Sequence, residues 1–227
     1  VMILEIAAGR LLAPYVGVSL YTWTSIIGVV LTGLSLGSWI GGRLGDMGAG
    51  LVTVGWVISL SGIFALASLG ILTWLAPMLH QHELGLLSSS FIYMSSLFFI
   101  PSTLLGIVTP LLTTLSLQED ERSGHVVGRM HALGALGSIL GTFAAGYWLV
   151  QTIGTYAIIL FSGSALLLIA LPFLWRGAKW QVLVMMLLAA AALGVSHARG
   201  GLNNPCDTES SYFCIRVVDA TPEAPFG

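Results

Sequence analysis

The strongest constraint in this sequence is a succession of apolar stretches, each about as long as a bilayer is thick. Charged residues make up only 8% of the chain and hydrophobic residues 56%, whereas soluble domains carry about 25% charged residues. A membrane-spanning helix needs about 20 apolar residues. The sequence therefore predicts an all-α polytopic protein whose first partner is the lipid bilayer. Seven segments are predicted, at about 1–13, 22–43, 51–76, 86–117, 128–150, 155–174 and 179–198.

The two ends of the chain differ from the middle. The first apolar run has only about 13 residues before Pro14, so we expect the first helix to be truncated at its N-terminus. The final segment contains "ESSYFCIRVVD" at 209–219, where apolar and polar residues alternate as in a strand. We therefore divide the chain into a multi-pass domain at 1–200 and an extramembrane, extended or β region at 201–227.

The distribution of Lys and Arg predicts the orientation in the membrane. The second, fourth and sixth loops hold most of these residues, and we expect them to face the cytoplasm in a multi-pass protein of the cell inner membrane. Seven spans then place the C-terminal tail on the external or periplasmic side. Cys206 and Cys214 lie in that tail, where they form either a disulfide or a pair of reduced thiols. The loop cations are Arg43, Arg122, Arg129, Arg176 and Lys179.

A weak internal repeat appears at a separation of about 100 residues. "LGSWIGG" at 36–42 is similar to "LGSILGT" at 136–142, and "LLAP" at 11–14 to "IVTP" at 107–110. Repeats of three spans each have opposite orientations, an arrangement common in transporters. The alternatives are a 3+3 inverted repeat and chance similarity between glycine-rich segments.

Small residues recur at helical spacing on the second and fifth segments. Gly33, Gly37 and Gly41 form one stripe, and Gly137 and Gly141 belong to another. In lipid, helices associate through such residues because their backbones can approach closely. The stripes therefore predict helix packing, with a rocking surface for transport as the alternative.

Few charged residues fall inside the apolar segments. Glu5 is a candidate intramembrane site for a cation or proton, or a polar contact between helices. Arg10, the second member of this polar site, is five residues further on and not expected to pair with it. Arg43 and Asp46 are three residues apart and form a candidate cytoplasmic loop clamp.

Several classes of function have no signal. The histidines do not form a metal-binding pair, no strand leads into a glycine-rich phosphate loop, and no nucleophile and base can be brought together. We therefore expect no metal, no cofactor and no catalytic residue in this chain. With a net charge of −2 and no basic run, nucleic-acid binding is not expected either.

Three quoted segments carry a resemblance to a known family. "EIAAGRLLAPYVGVSLYTWTSIIGVVLTGLSLGSWIGGRLGD" (5–46), "FIPSTLLGIVTPLLTTLSL" (99–117) and "GRMHALGALGSILGTFAAGYWLVQTIGT" (128–155) resemble the membrane-bound spermidine synthase-like, or fused major-facilitator/spermidine synthase, proteins. "GGRLGD" at 41–46 is also similar to a cytoplasmic loop of major facilitator transporters.

The resemblance implies a membrane part followed by an aminopropyltransferase-like domain, and 209–219 is similar to the strand that opens that domain. The resemblance implies that the membrane part acts as an anchor or as a module that handles small cations. It implies no catalytic activity for the residues of this sequence. Only a longer chain that includes the Rossmann-like domain would be an enzyme. The alternatives are a non-catalytic subunit of a larger membrane complex and a small secondary transporter using Glu5.

Overall fold

A computed structural model describes residues 1–80, 85–119, 122–202, 208–209 and 214–215. For His80, Glu119 and the last four of these residues it describes the backbone only. The described part is almost entirely helical. Its helices are α1 Met2–Val16, α2 Leu20–Asp46, α3 Leu51–His80, α4 Leu86–Glu119, α5 Ser123–Ala144, α6 Val150–Leu174 and α7 Lys179–Ala198, with a π-helical turn Ala145–Leu149 between α5 and α6.

The helix boundaries have local causes. Gly17 ends α1 with a φ of 69°, a conformation that glycine adopts without steric cost. Ser19 caps α2, because its side chain accepts a hydrogen bond from the Thr22 backbone nitrogen at 3.2 Å. Gly154 interrupts the long helical run after α5 with φ 76° and ψ 165°, at the break that the sequence predicts before residue 155.

Among the described residues, five helical stretches are long and apolar enough to cross a bilayer: Leu20–Asp46, Leu51–Leu79, Leu86–Gln118, Ser123–Leu174 and Lys179–Ala198. The prediction of a helical membrane protein is confirmed at this level. The number of spans stays a prediction, because Ser123–Leu174 is a single stretch of 52 residues by this criterion.

The directions of the helices follow from their close contacts. Along α2, Gly33 lies beside Ser102 and Gly45 beside Thr114, so α2 and α4 run parallel. Gly55 of α3 lies beside Phe173, whereas Gly62 lies beside Gly163. Because the partner number falls as the α3 number rises, α3 and α6 run antiparallel.

Two clusters of buried side chains fill the bundle. The first joins α1, α2, α3, α4 and α6 around Leu12, Ile26 and Leu69. The second joins α3, α4, α6 and α7 around Leu111 and Leu174. Three helices, α3, α4 and α6, contribute to both clusters, whereas α5 contributes to neither.

The outer position of α5 is the least expected feature of the fold. All ten residues from 131 to 140 are exposed. Near its C-terminal end, α5 approaches α1, where a Cβ at Gly141 would lie 3.4 Å from Cγ1 of Ile3. Val126, near the N-terminal end of α5, is also buried. The helix therefore contacts the bundle towards both ends and leaves an open space beside its exposed middle.

The C-terminal region contains two short strands, β1 Thr208–Glu209 and β2 Cys214–Ile215. They pair antiparallel, with Thr208 opposite Ile215 and Glu209 opposite Cys214. Cys206 and the side chain of Cys214 lie outside the described residues, so the possible disulfide stays a prediction. The remainder of the expected strand at 209–219 is also outside them.

Candidate functional site

The space beside α5 is a cleft with a volume of about 670 Å³. It is bounded by the first turn of α1, the middle of α2 and α4, and the inner face of α5. Its polar contributors are hydroxyl groups on three helices and one imidazole. These are Ser38, Thr109, Ser138 and His131.

The floor of the cleft is the contact between α2 and α4. A Cβ at Gly37 would overlap the Thr103 carbonyl oxygen, and one at Gly41 would lie 2.5 Å from that of Ile107. On the α4 side, a Cβ at Gly106 would lie 2.7 Å from the Leu34 carbonyl oxygen. Only glycine permits this approach, so the expected packing role of the second-segment stripe has a specific partner in α4.

Polar contacts across the same interface are few. The Ser38 hydroxyl donates to the Gly106 carbonyl oxygen at 3.5 Å, a long hydrogen bond. On the far side of α4, the buried Ser61 hydroxyl donates to the Pro101 carbonyl oxygen at 3.1 Å. The floor is therefore held by close van der Waals contact and the Ser38 hydrogen bond, whereas the Ser61 hydrogen bond joins α4 to α3.

The wall formed by α5 departs from the packing expected of its glycines. A Cβ at Gly137 would meet no atom within 4 Å, and the same is true of Gly134. Gly141 makes ordinary contacts with Met2 and Ile3 of α1. The sequence pattern of α5 resembles that of α2, but Gly134 and Gly137 border the cleft and pack against no helix of the described part.

Glu5 lies close to the cleft but does not line it. Val1 lines the cleft, and Glu5 is four residues further along α1, one turn away on nearly the same face. Glu5 and Arg10 are both half-buried. No carboxylate lines the cleft among the described residues. Glu5 is the acidic side chain that α1 places within one turn of it.

The expected clamp between Arg43 and Asp46 has a different geometry. The Arg43 guanidinium carbon lies 4.0 Å from the centroid of the Trp39 ring. Arg43 and Asp46, both described by the structure, form no ion pair with each other. Trp39 is one turn before Arg43 on the same face of α2, so a cation–π contact replaces the carboxylate.

Sequence reasoning did not identify the hydroxyl groups of the cleft. Ser38 follows Gly37 directly, and Thr109 precedes Pro110. A polar residue beside a glycine stripe within an apolar segment is the signal that would have drawn attention to Ser38. No comparable signal marks Thr109, because threonine also satisfies its own helix backbone in membranes.

No group of three or more potential metal ligands occurs among the residues that the structure describes.

The fold and the cleft together define a helical membrane protein in which a cleft lies between the closely packed helices α2 and α4 and the outer helix α5. Comparison with known protein families, with curated proteins and with solved structures finds no match to this chain.

Proposed function

We propose that this chain is the membrane domain of a spermidine synthase-like protein, and that its cleft accommodates a small organic cation such as a polyamine. In this proposal, residues 1–200 anchor the protein in the membrane, and 201–227 begin the synthase-like β region. The observation that carries the proposal is the 670 Å³ cleft with hydroxyl groups on a fixed floor, one turn from Glu5.

The size and chemistry of the cleft suit such a ligand. Pockets for small molecules typically measure about 300–1,000 Å³, which includes this cleft. Hydroxyl oxygens of Ser38, Thr109 and Ser138 can accept hydrogen bonds from ammonium groups in place of water. The Glu5 carboxylate supplies the counter-charge that a cation requires at membrane depth.

The proposed topology has seven spans. The parallel α2 and α4 support an alternating arrangement, and Gly154 supplies a point at which the 123–174 stretch reverses. The even-numbered loops then face the cytoplasm across the inner membrane, and the tail with both cysteines faces outside. A 3+3 inverted repeat would relate α1–α3 to α4–α6, which puts the cleft between its halves.

Uptake of spermidine into proteoliposomes tests the cation proposal. Glu5→Gln removes the charge while keeping the size of the side chain, and we expect at least a tenfold loss of uptake. Asp46→Asn is the matched control, because it makes the same chemical change at the end of α2, away from the cleft lining. Equal uptake by Glu5→Gln and the unchanged protein would reject a cation role for Glu5.

A second candidate function is that of a non-catalytic subunit of a larger membrane complex. The outer face of α5, where Leu136 and Leu140 are exposed and do not line the cleft, favours it. Native gel electrophoresis after mild solubilisation tests this candidate. Leu136→Ser should release the chain from an assembly, whereas Leu31→Ser, at a similarly exposed position on α2, should not. Migration of the unchanged protein as a single chain would exclude this function.

A further inference from the structure

A second depression lies between α3 and α7, two helices that do not border the first cleft. Its volume is about 350 Å³. Small side chains form its floor, namely Ala67, Gly70, Ala191 and Ala192. Since these side chains do not extend beyond Cβ, the depression is a groove between two helix backbones.

Close contact between the helices fixes the floor of the groove. A Cβ at Gly70 would lie 2.8 Å from the Ser196 hydroxyl oxygen and 3.0 Å from its Cα. The Ser196 hydroxyl donates to the Leu66 carbonyl oxygen at 3.4 Å. The polar group nearest the floor is therefore already used within the protein, and the remaining inner surface is apolar.

The groove has one charged end. Arg199, the first residue after α7, lines one end of the groove. Trp74 lies on the α3 side, with 53% of its surface exposed. Between Arg199 and Ala191 the groove follows α7 for roughly 12 Å, at about 1.5 Å per residue. No acidic side chain lines it in the part of the chain that the structure describes.

The end of α7 does not require the Arg199 side chain as a cap. The carbonyl oxygens of Val195, Ser196 and His197 accept hydrogen bonds from the backbone nitrogens of the next residues, up to Gly201. Arg199 is also exposed. Its guanidinium group is thus available to a ligand at the end of the groove.

We propose that the groove between α3 and α7 binds an anionic phospholipid, with the phosphate at Arg199 and one acyl chain along Ala192 and Gly70. An apolar trough that ends in a cation matches an acyl chain joined to an anionic headgroup. Arginine binds phosphate through paired, charge-assisted hydrogen bonds, and Trp74 is of the type that lies at headgroup level. A cationic ligand is disfavoured by Arg199, and a neutral apolar ligand leaves the guanidinium without a partner.

Native mass spectrometry of the full chain in detergent tests the proposal. The probes are phosphatidylglycerol and phosphatidylcholine with identical acyl chains. We expect one phosphatidylglycerol to be retained in preference to phosphatidylcholine, and Arg199→Gln to weaken its binding about fivefold, as loss of one cation near a lipid headgroup predicts. Arg176→Gln, an exposed arginine between α6 and α7, should retain the preference. Equal retention of the two lipids, or an unchanged preference in Arg199→Gln, overturns the proposal.

A second pair of variants tests the groove itself. Ala191→Phe fills the groove and should reduce binding of both lipids, whereas Ala190→Phe, exposed outside the groove, should not. Unchanged binding by Ala191→Phe would place the lipid elsewhere. A photo-crosslinking residue at Val195 in native membranes should capture lipid, and capture of a polypeptide overturns the proposal. Gel-filtration profiles show whether each variant is folded. If Ala191→Phe does not fold, the result for Arg199→Gln decides the outcome.

Discussion

Gly37 of α2 lies against the backbone of Thr103 in α4 so closely that a Cβ at position 37 would overlap the Thr103 carbonyl oxygen. The same interface contains Gly33, Gly41 and, from α4, Gly106. It is the most extensive contact between any two helices of the described part. The floor of the cleft is therefore the most firmly packed part of this bundle.

The first prediction concerns this interface. Gly37→Ala should lower stability by about 1–3 kcal/mol, because the added methyl group has to push two backbones apart. Gly42→Ala is the control on the same helix, since a Cβ there meets no atom within 4 Å. It should be neutral or stabilising by up to about 1 kcal/mol, from helix propensity. Thermal unfolding in detergent, followed by tryptophan fluorescence, measures both changes. Equal effects of the two variants would contradict a close contact at Gly37.

The second prediction separates two buried serines of α3. The Ser61 hydroxyl donates across to the Pro101 carbonyl oxygen, whereas the Ser59 hydroxyl donates to the Gly55 carbonyl oxygen of its own helix at 2.7 Å. Ser61→Ala should cost about 0.6 kcal/mol, the average for hydrogen bonds between membrane helices, and at most about 1.7 kcal/mol. Ser59→Ala should cost less, because its hydrogen bond lies within α3 and does not join two helices.

Both serines are fully buried, so burial does not distinguish them. Urea or thermal unfolding of the two variants under identical detergent conditions makes the comparison. A larger loss for Ser59→Ala than for Ser61→Ala would show that the bond to Pro101 does not hold α3 against α4.

The third prediction concerns the break before the second part of α6. Gly154 has φ 76° and ψ 165°, a region that is essentially restricted to glycine. Gly154→Ala should therefore cost about 1–3 kcal/mol. Gly128→Ala, at an open helical position in α5, should have no such cost. Loss of folded protein in gel filtration after graded heating gives the measurement, and equal losses would show that residue 154 adopts an ordinary backbone conformation.

The fourth prediction tests the number of spans. If the 123–174 stretch crosses the membrane twice, single cysteines at Gly124 and Trp175, both exposed, lie on the same side. They should react with a membrane-impermeant maleimide only after the membrane is permeabilised, in a background in which Cys206 and Cys214 are serine. A cysteine at Val18, 65% exposed, should react in intact spheroplasts. Labelling of positions 124 and 175 from opposite sides would show a single crossing.

The positions of the helices were largely predictable. The expected segments at 51–76 and 179–198 correspond to α3 and α7, with ends that agree within a few residues. Apolar length gives this information directly, because a chain in lipid has to satisfy its backbone hydrogen bonds within each segment. The break at Gly154 was also visible, as a short polar and glycine-containing interval between two apolar runs.

The candidate site was predictable only in part. The spacing of Gly37 and Gly41 indicated a packing face, but it did not identify α4 as the partner. Arg43 was expected near Asp46, yet it lies over Trp39. Trp39 and Asp46 both lie within about one helical turn of Arg43. Their spacing in the sequence therefore does not show whether Arg43 contacts the aromatic ring or the carboxylate.

The contrast between Gly37 and Gly137 shows which features of this protein the sequence determined and which features the tertiary structure determined. The sequence by itself determined that the chain forms long apolar helices with small residues at regular intervals, because charge content and segment length are local properties that lipid selects. Only the tertiary structure decided that Gly33, Gly37 and Gly41 of α2 contact a second backbone while Gly134 and Gly137 of α5 border an open cleft. A small residue permits close approach from any direction, and the partner that uses it is set by the packing of the whole bundle.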